Sequence, residues 1–223
     1  MAGGGGGPID KPWILVFDMD DTLIVEGYPG KLIANVVAVL EEGIRQRDKS
    51  VKYIFLLTNN QRRWDIETAI NTIKRRLPEG TKIFDAIKYL NRSEETPELT
   101  RVDIQNIPTT TKRYFYEDKE VMKNLNDVID LIAMCGETIS IEELFPKYKI
   151  MFFDDFPQHN LGYQLFGDRG KYVQVYPKRK QDFSTELALL GSHAHPSKTR
   201  KQSGGSRKNK TKTLKKSKKN KRK

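Results

Sequence analysis

Three stretches of this chain, WILVFD (13–18), VKYIFLLT (51–58) and YKIMFFDD (148–155), are short, nearly continuous apolar runs that stop at polar or acidic residues. A short run with no polar face is the pattern of a strand buried on both sides. Between and after these runs, apolar residues recur at helical spacing. The predicted helices are KLIANVVAVLEEGIRQ (31–46), RRWDIETAINTIKRRL (62–77), KEVMKNLNDVIDLIAMC (119–135) and DFSTELALL (182–190). Pro78 and Gly80 stop the second, and Gly136 suits the end of the third. TKIFDAI (81–87), KRYFYE (112–117) and KYVQVYP (171–177) read as further short strands, and residues 91–111, rich in Thr, Pro, Glu and Asn, as a loop or small insertion. Strands alternating with helices specify an α/β fold around a mostly parallel sheet.

Charge marks the limits of that fold. The chain carries a formal net charge of +11, yet fourteen Lys or Arg and no acid fall within residues 198–223. Without them, twenty-six basic face twenty-nine acidic residues, so the body is mildly acidic. Residues 192–223 have too little apolar surface to fold alone and read as a disordered basic tail. Such a tail suits phosphates of nucleic acid, a nuclear-localisation signal or simple solubilisation. It holds no aromatic residue for stacking on bases, so contact with nucleic acid through residues 198–223 would be blind to sequence. Residues 1–11, MAGGGGGPIDK, read as a flexible Gly-rich leader rather than a signal peptide. Cys135 is the only cysteine, which excludes an intramolecular disulfide, and its apolar surroundings make it a packing residue rather than a nucleophile. No apolar run approaches the roughly 20 residues that span a bilayer, and no membrane partner is expected. A soluble intracellular protein, cytoplasmic or nuclear, is the expectation.

The acids at the strand ends raise the chemical question. In open α/β sheets, sites form at the carboxyl ends of strands. The first strand ends in Asp18-Met19-Asp20-Asp21-Thr22, the second in Thr58-Asn59-Asn60, and a later one in Asp154-Asp155. If these strands are neighbours, two acidic clusters and a hydroxyl meet at one edge. Carboxylates so crowded repel each other and are costly to desolvate. A divalent cation resolves the conflict, and Mg²⁺ favours oxygen ligands together with phosphate.

DMDDTL after an apolar strand resembles the DxDx[T/V] signature of the haloacid dehalogenase-like (HAD) phosphohydrolases. LLTNN is similar to their second motif, a strand ending in Thr or Ser, and FFDD to their fourth, paired acids after a strand. VMKNLNDVIDL resembles the lysine segment of the RNA polymerase C-terminal-domain phosphatase branch, which points to Lys123, with Lys119 as the alternative. The wide gap between Lys123 and Asp154 departs from that branch, and GETISIEELFPKYK reads there as an insertion. The resemblance covers residues 12–191 and implies a Rossmann-like HAD domain with little or no cap. It implies that Asp18 is the nucleophile and Asp20 the general acid and base. Thr58, Asn59 and Lys123 would hold the phosphoryl group. Mg²⁺ would bind Asp18, Asp20 through its backbone carbonyl, Asp154 and the adjoining Asp155.

Rival placements exist. YFYED offers Glu117 and Asp118 as another acidic strand end. His159 follows FFDD closely, although a loop role suits it better than catalysis. HAH (193–195) is a metal-binding pattern inside a stretch that reads as disordered. Between Asp18 and Thr58 the chain has room for a small flap around VEGYPG but not for a cap domain. In the HAD superfamily an open site goes with macromolecular substrates, here a phosphoprotein or a nucleic-acid end. The alternative is a HAD-like binding module without turnover, carried to nucleic acid by its tail. Both acids of the first motif are present, which favours the enzyme.

Overall fold

The computed structural model describes residues 11–60, 62–91, 109–113, 123–157 and 159–191. Residues 1–10 of the leader, most of the loop predicted over 91–111, Lys119, Glu117, Asp118, HAH and the basic tail lie outside the described residues. In chain order the elements are β1 (Trp13–Phe17), β2 (Ile24–Val25), β3 (Tyr28–Leu32), α1 (Ala34–Arg45), β4 (Val51–Thr58), α2 (Arg63–Lys74) and β5 (Ala86–Asn91). There follow β6 (Thr109–Arg113), α3 (Leu125–Met134), α4 (Ile141–Lys147), β7 (Lys149–Asp154), α5 (His159–Gln164), β8 (Gly170–Gln174) and α6 (Ser184–Gly191).

Five strands run parallel in the order β5-β4-β1-β7-β8, and β6 extends the β5 edge in the same direction. β4, β1 and β7, the three apolar runs read as doubly buried strands, are neighbours in the interior of the sheet, and every residue of β1 is buried. The sheet separates two cores. Trp13, Leu15 and Phe17 of β1 face one side with Val37 and Leu40 of α1, Ile66 and Ile70 of α2, and Leu190 of α6. Ile14 and Val16 face the other with Leu125, Val128 and Leu131 of α3, Leu144 of α4 and Leu161 of α5. This is the two-residue alternation of a strand, apolar on both faces because helices cover both. Phe17 stacks on Phe153 of β7 with ring centroids 4.8 Å apart, a contact worth about 0.5–1.5 kcal/mol beyond its buried area. A Cβ added to Gly43 of α1 would fall 2.3 Å from Leu15 Cδ1, so any larger residue there requires the Leu15 side chain to move.

Several boundaries differ from the sequence-based expectation. Residues 81–85 are not strand. Asp85 takes hold of β4 instead: its N–H donates to the Ile54 carbonyl (2.7 Å) and its Oδ2 accepts from the Ile54 N–H (2.8 Å). The Asp85 side chain thus accepts a bond that a strand carbonyl would take, and the strand register begins one residue later, with Ala86 opposite Phe55. Thr109–Thr111 belong to β6 rather than to a loop. The described part of α3 starts at Leu125 because Asn124 caps it in a reciprocal box with Asp127. The segment read as an insertion carries α4, capped by Ser140 and Glu143, with Leu144 buried in the α3-side core. The six-residue α5 was not foreseen. Cys135 is half-buried at the end of α3.

Candidate active site

Chain order and strand order together locate the site. From β1 the chain lays β4, β5 and β6 to one side, and then returns to lay β7 and β8 on the other. The crevice beyond the carboxyl ends of β1 and β7 is therefore a topological switch point, where parallel sheets bind ligands. The register continues the alternation into it. Phe17 stands opposite Phe153, and the next residues, Asp18 and Asp154, follow Val16 and Phe152 on the face covered by α3. The Asp18 N–H donates to the Phe153 carbonyl at 2.9 Å, which holds the two strand ends together.

At that point Asp18, Asp154 and Asp155 each present a carboxylate oxygen, and the three oxygens lie within 4.8 Å of one another. Asp18 is 6% exposed, Asp154 1% and Lys123 2%. Lys123, just before the cap of α3, reaches between the first two, with Nζ 2.6 Å from Asp18 Oδ1 and 2.7 Å from Asp154 Oδ2. Lys123, one of the two candidate lysines, thus lies here; Lys119 is outside the described residues. With all groups ionised, three carboxylates and one ammonium leave a formal charge of −2 in a nearly dry setting. An all-oxygen set of this charge suits a hard divalent cation such as Mg²⁺. The other Asp154 oxygen accepts the Phe156 N–H at 2.9 Å, which fixes the carboxylate.

The electrostatics reflect that crowding. Burial pushes Asp18 up to about 7, with Lys123 opposing and Asp154 adding to the rise. Burial and the charge of Asp154 raise Asp155 to about 6. For Lys123 burial acts downward, but the two carboxylates outweigh it and the ammonium is held above its ordinary value. Burial is the largest cause for both carboxyls, and the charge of the neighbouring carboxylate adds to it.

The loop after Asp18 turns back sharply: the Met19 carbonyl accepts from the N–H groups of Leu23 (2.9 Å) and Ile24 (3.0 Å), and Asp21 adopts φ +50°. The turn carries Asp20 toward the end of β4, where Asn60 Nδ2 donates to Asp20 Oδ2 at 2.7 Å. Burial raises Asp20 as well, against the pull of that hydrogen bond. Thr58 is fully buried, and its Oγ1 accepts the Asn60 N–H at 3.0 Å, leaving the hydroxyl proton free to point elsewhere. Among the described residues, Asn59 Oδ1 and Thr22 Oγ1 are buried without a hydrogen-bond partner. Asn60 had no role in the sequence-based reading, although consecutive asparagines after a buried strand were the available signal. Among the described residues, the carboxylate of Asp20 is outside the three-acid cluster.

A cleft of about 560 Å³ opens beside these residues, lined by Asp20, Asn59 and Asn60, by Glu26 and Gly27 of the β2–β3 hairpin, and by Arg62 and Asp65 at the start of α2. The hairpin is the small flap expected around VEGYPG. Among the described residues no helix is long and apolar enough to cross a membrane. No protein-family model, no curated protein and no solved structure matches this chain.

Proposed function

We propose that this chain is a magnesium-dependent phosphohydrolase of the haloacid dehalogenase-like type, acting through an aspartyl-phosphate on a substrate large enough to use an open site. The observation that carries the proposal is the meeting of Asp18, Asp154 and Asp155 around Lys123 at the switch point of the sheet.

The bound Mg²⁺, held by Asp18, Asp154 and Asp155 with the Asp20 carbonyl, would neutralise charge on the phosphoryl oxygens. Lys123 orients the Asp18 carboxylate and adds positive charge beside it. An Asp18 oxygen bonds to phosphorus as the bond from phosphorus to the leaving oxygen breaks. Asp20 gives its proton to that leaving oxygen, a role suited by its raised proton affinity and by its anchor on Asn60. The Asp20 carboxylate then takes a proton from water as the water oxygen attacks phosphorus. Phosphate leaves and the Asp18 carboxylate is restored. Thr58 and Asn59 supply hydrogen bonds to the phosphoryl oxygens. Phosphate release from p-nitrophenyl phosphate, phosphopeptides and 3′- or 5′-phosphorylated oligonucleotides, in Mg²⁺ and in EDTA, tests the proposal. Turnover in Mg²⁺ that EDTA abolishes supports it, and absence of turnover on every substrate favours the binding-module alternative.

A further inference from the structure

A second buried lysine lies close to the site. Lys88 is in β5 between Ala86 and Leu90, both packed in the α3-side core, so strand alternation turns Lys88 to that same face. It is fully buried, in a position where the pattern calls for an apolar residue. Its Nζ lies 2.5 Å from Asp127 Oδ1 and 2.7 Å from Asp130 Oδ2, both on α3. Asp127 is itself fully buried.

The other Asp127 oxygen, Oδ2, accepts the N–H of Asn124 at 2.9 Å. That N–H belongs to the peptide bond between Lys123 and Asn124. Lys88, carried by the sheet, therefore grips the peptide from which the Lys123 side chain departs toward Asp18. We propose that Lys88 is a positioning residue for Lys123, acting through Asp127 and the first turn of α3.

Burial of an ion pair is costly, and apolar residues of similar size often stabilise a fold as well or better. The capping box of Asn124 and Asp127 would begin α3 without Lys88. What the lysine adds is a fixed distance between that helix start and the sheet. Lys123 must place one ammonium between two carboxylates, and a displacement of about 1 Å at a reacting group costs on the order of 10²-fold in rate. The catalytic consequence rests on the phosphohydrolase reading above; the geometric consequence does not.

The test is a double-mutant cycle of Lys88→Met and Lys123→Met, read in kcat and KM, with a crystal structure of Lys88→Met. The expected result is a kcat loss on the order of 10²-fold for Lys88→Met with KM little changed. In the Lys123→Met background the same substitution should cost almost nothing further. In the crystal structure Lys123 Nζ should have left its contact with Asp18. An equal loss in both backgrounds, or Lys123 still seated between Asp18 and Asp154, overturns the proposal. If Lys88→Met does not fold, Lys88→Gln keeps a donor for Asp127 and is read the same way, with a smaller loss. A wild-type protein without turnover would remove the phosphohydrolase reading alone, and the position of Lys123 in the crystal would still decide the positioning role.

Discussion

Lys123 Nζ and Asp18 Oδ1 lie 2.6 Å apart, one from the start of a helix and the other from the end of the central strand. Lys123→Met removes the ammonium from a nearly dry cluster of carboxylates. Turnover should fall by about 10²–10³-fold, as for loss of one charge-stabilising group. The variant should also lose about 3–5 kcal/mol of stability, because a buried pair has lost one partner. Urea unfolding with and without Mg²⁺ checks the second effect, and the metal should recover part of the loss.

Under the proposed function, magnesium and protons compete for the same oxygens. Without a metal, burial pushes Asp18 up to about 7 and Asp155 up to about 6 from an ordinary 3.8. Between pH 4 and 7 the folded chain therefore holds protons that the unfolded chain has released, and its stability falls as pH rises through that window. Thermal melts in EDTA should show this decline, and Asp18→Asn should flatten it. Mg²⁺ should raise the melting temperature more at pH 8 than at pH 5.

Asp20 is expected to matter in proportion to the leaving group's need for a proton. Asp20→Asn should slow an alkyl phosphate by about 10²–10⁴-fold. Loss with p-nitrophenyl phosphate should be smaller, since nitrophenolate departs with little help. Equal losses on both substrates would remove the general-acid role.

Cys135 should behave as an inert thiol. Burial, chiefly, pushes it up to about 11, so at pH 8 only about one molecule in 10³ carries the reactive thiolate. Alkylation should be far slower than for a free thiol and should leave phosphate release unchanged.

The basic segment gives a separable expectation. Deleting residues 198–223 removes fourteen positive charges. Binding to a single-stranded oligonucleotide should weaken and lose its steep dependence on salt, while turnover of p-nitrophenyl phosphate stays the same.

β1 and β7 were legible in the sequence because each is an apolar run with no polar face, too short for a helix and suited to a strand covered on both sides, and their ends were legible because acids close each run. The end of β4 at Thr58 was legible only as a polar stop to a third apolar run. β5 was misplaced because TKIFD has a strand's composition, while Asp85 makes a side-chain bridge to Ile54 that no periodicity reveals. Lys123 was readable only through the family resemblance, since its partners come from distant parts of the chain. Lys88 carried a local signal, a lysine inside an apolar strand, but its meaning depends on the contact with Asp127. Asn60 was passed over because its use, holding Asp20, exists only once the turn after Asp18 has closed.

The most direct measurement of the central claim is phosphate release by wild type and Asp18→Asn side by side in Mg²⁺, with the acid-quenched wild-type protein examined by mass spectrometry. Wild type should turn over and carry a phosphoryl group on Asp18, and Asp18→Asn should lose on the order of 10⁴-fold or more in kcat. Turnover by Asp18→Asn close to that of wild type, or a phosphoryl group found on another residue, would contradict an active centre built on Asp18.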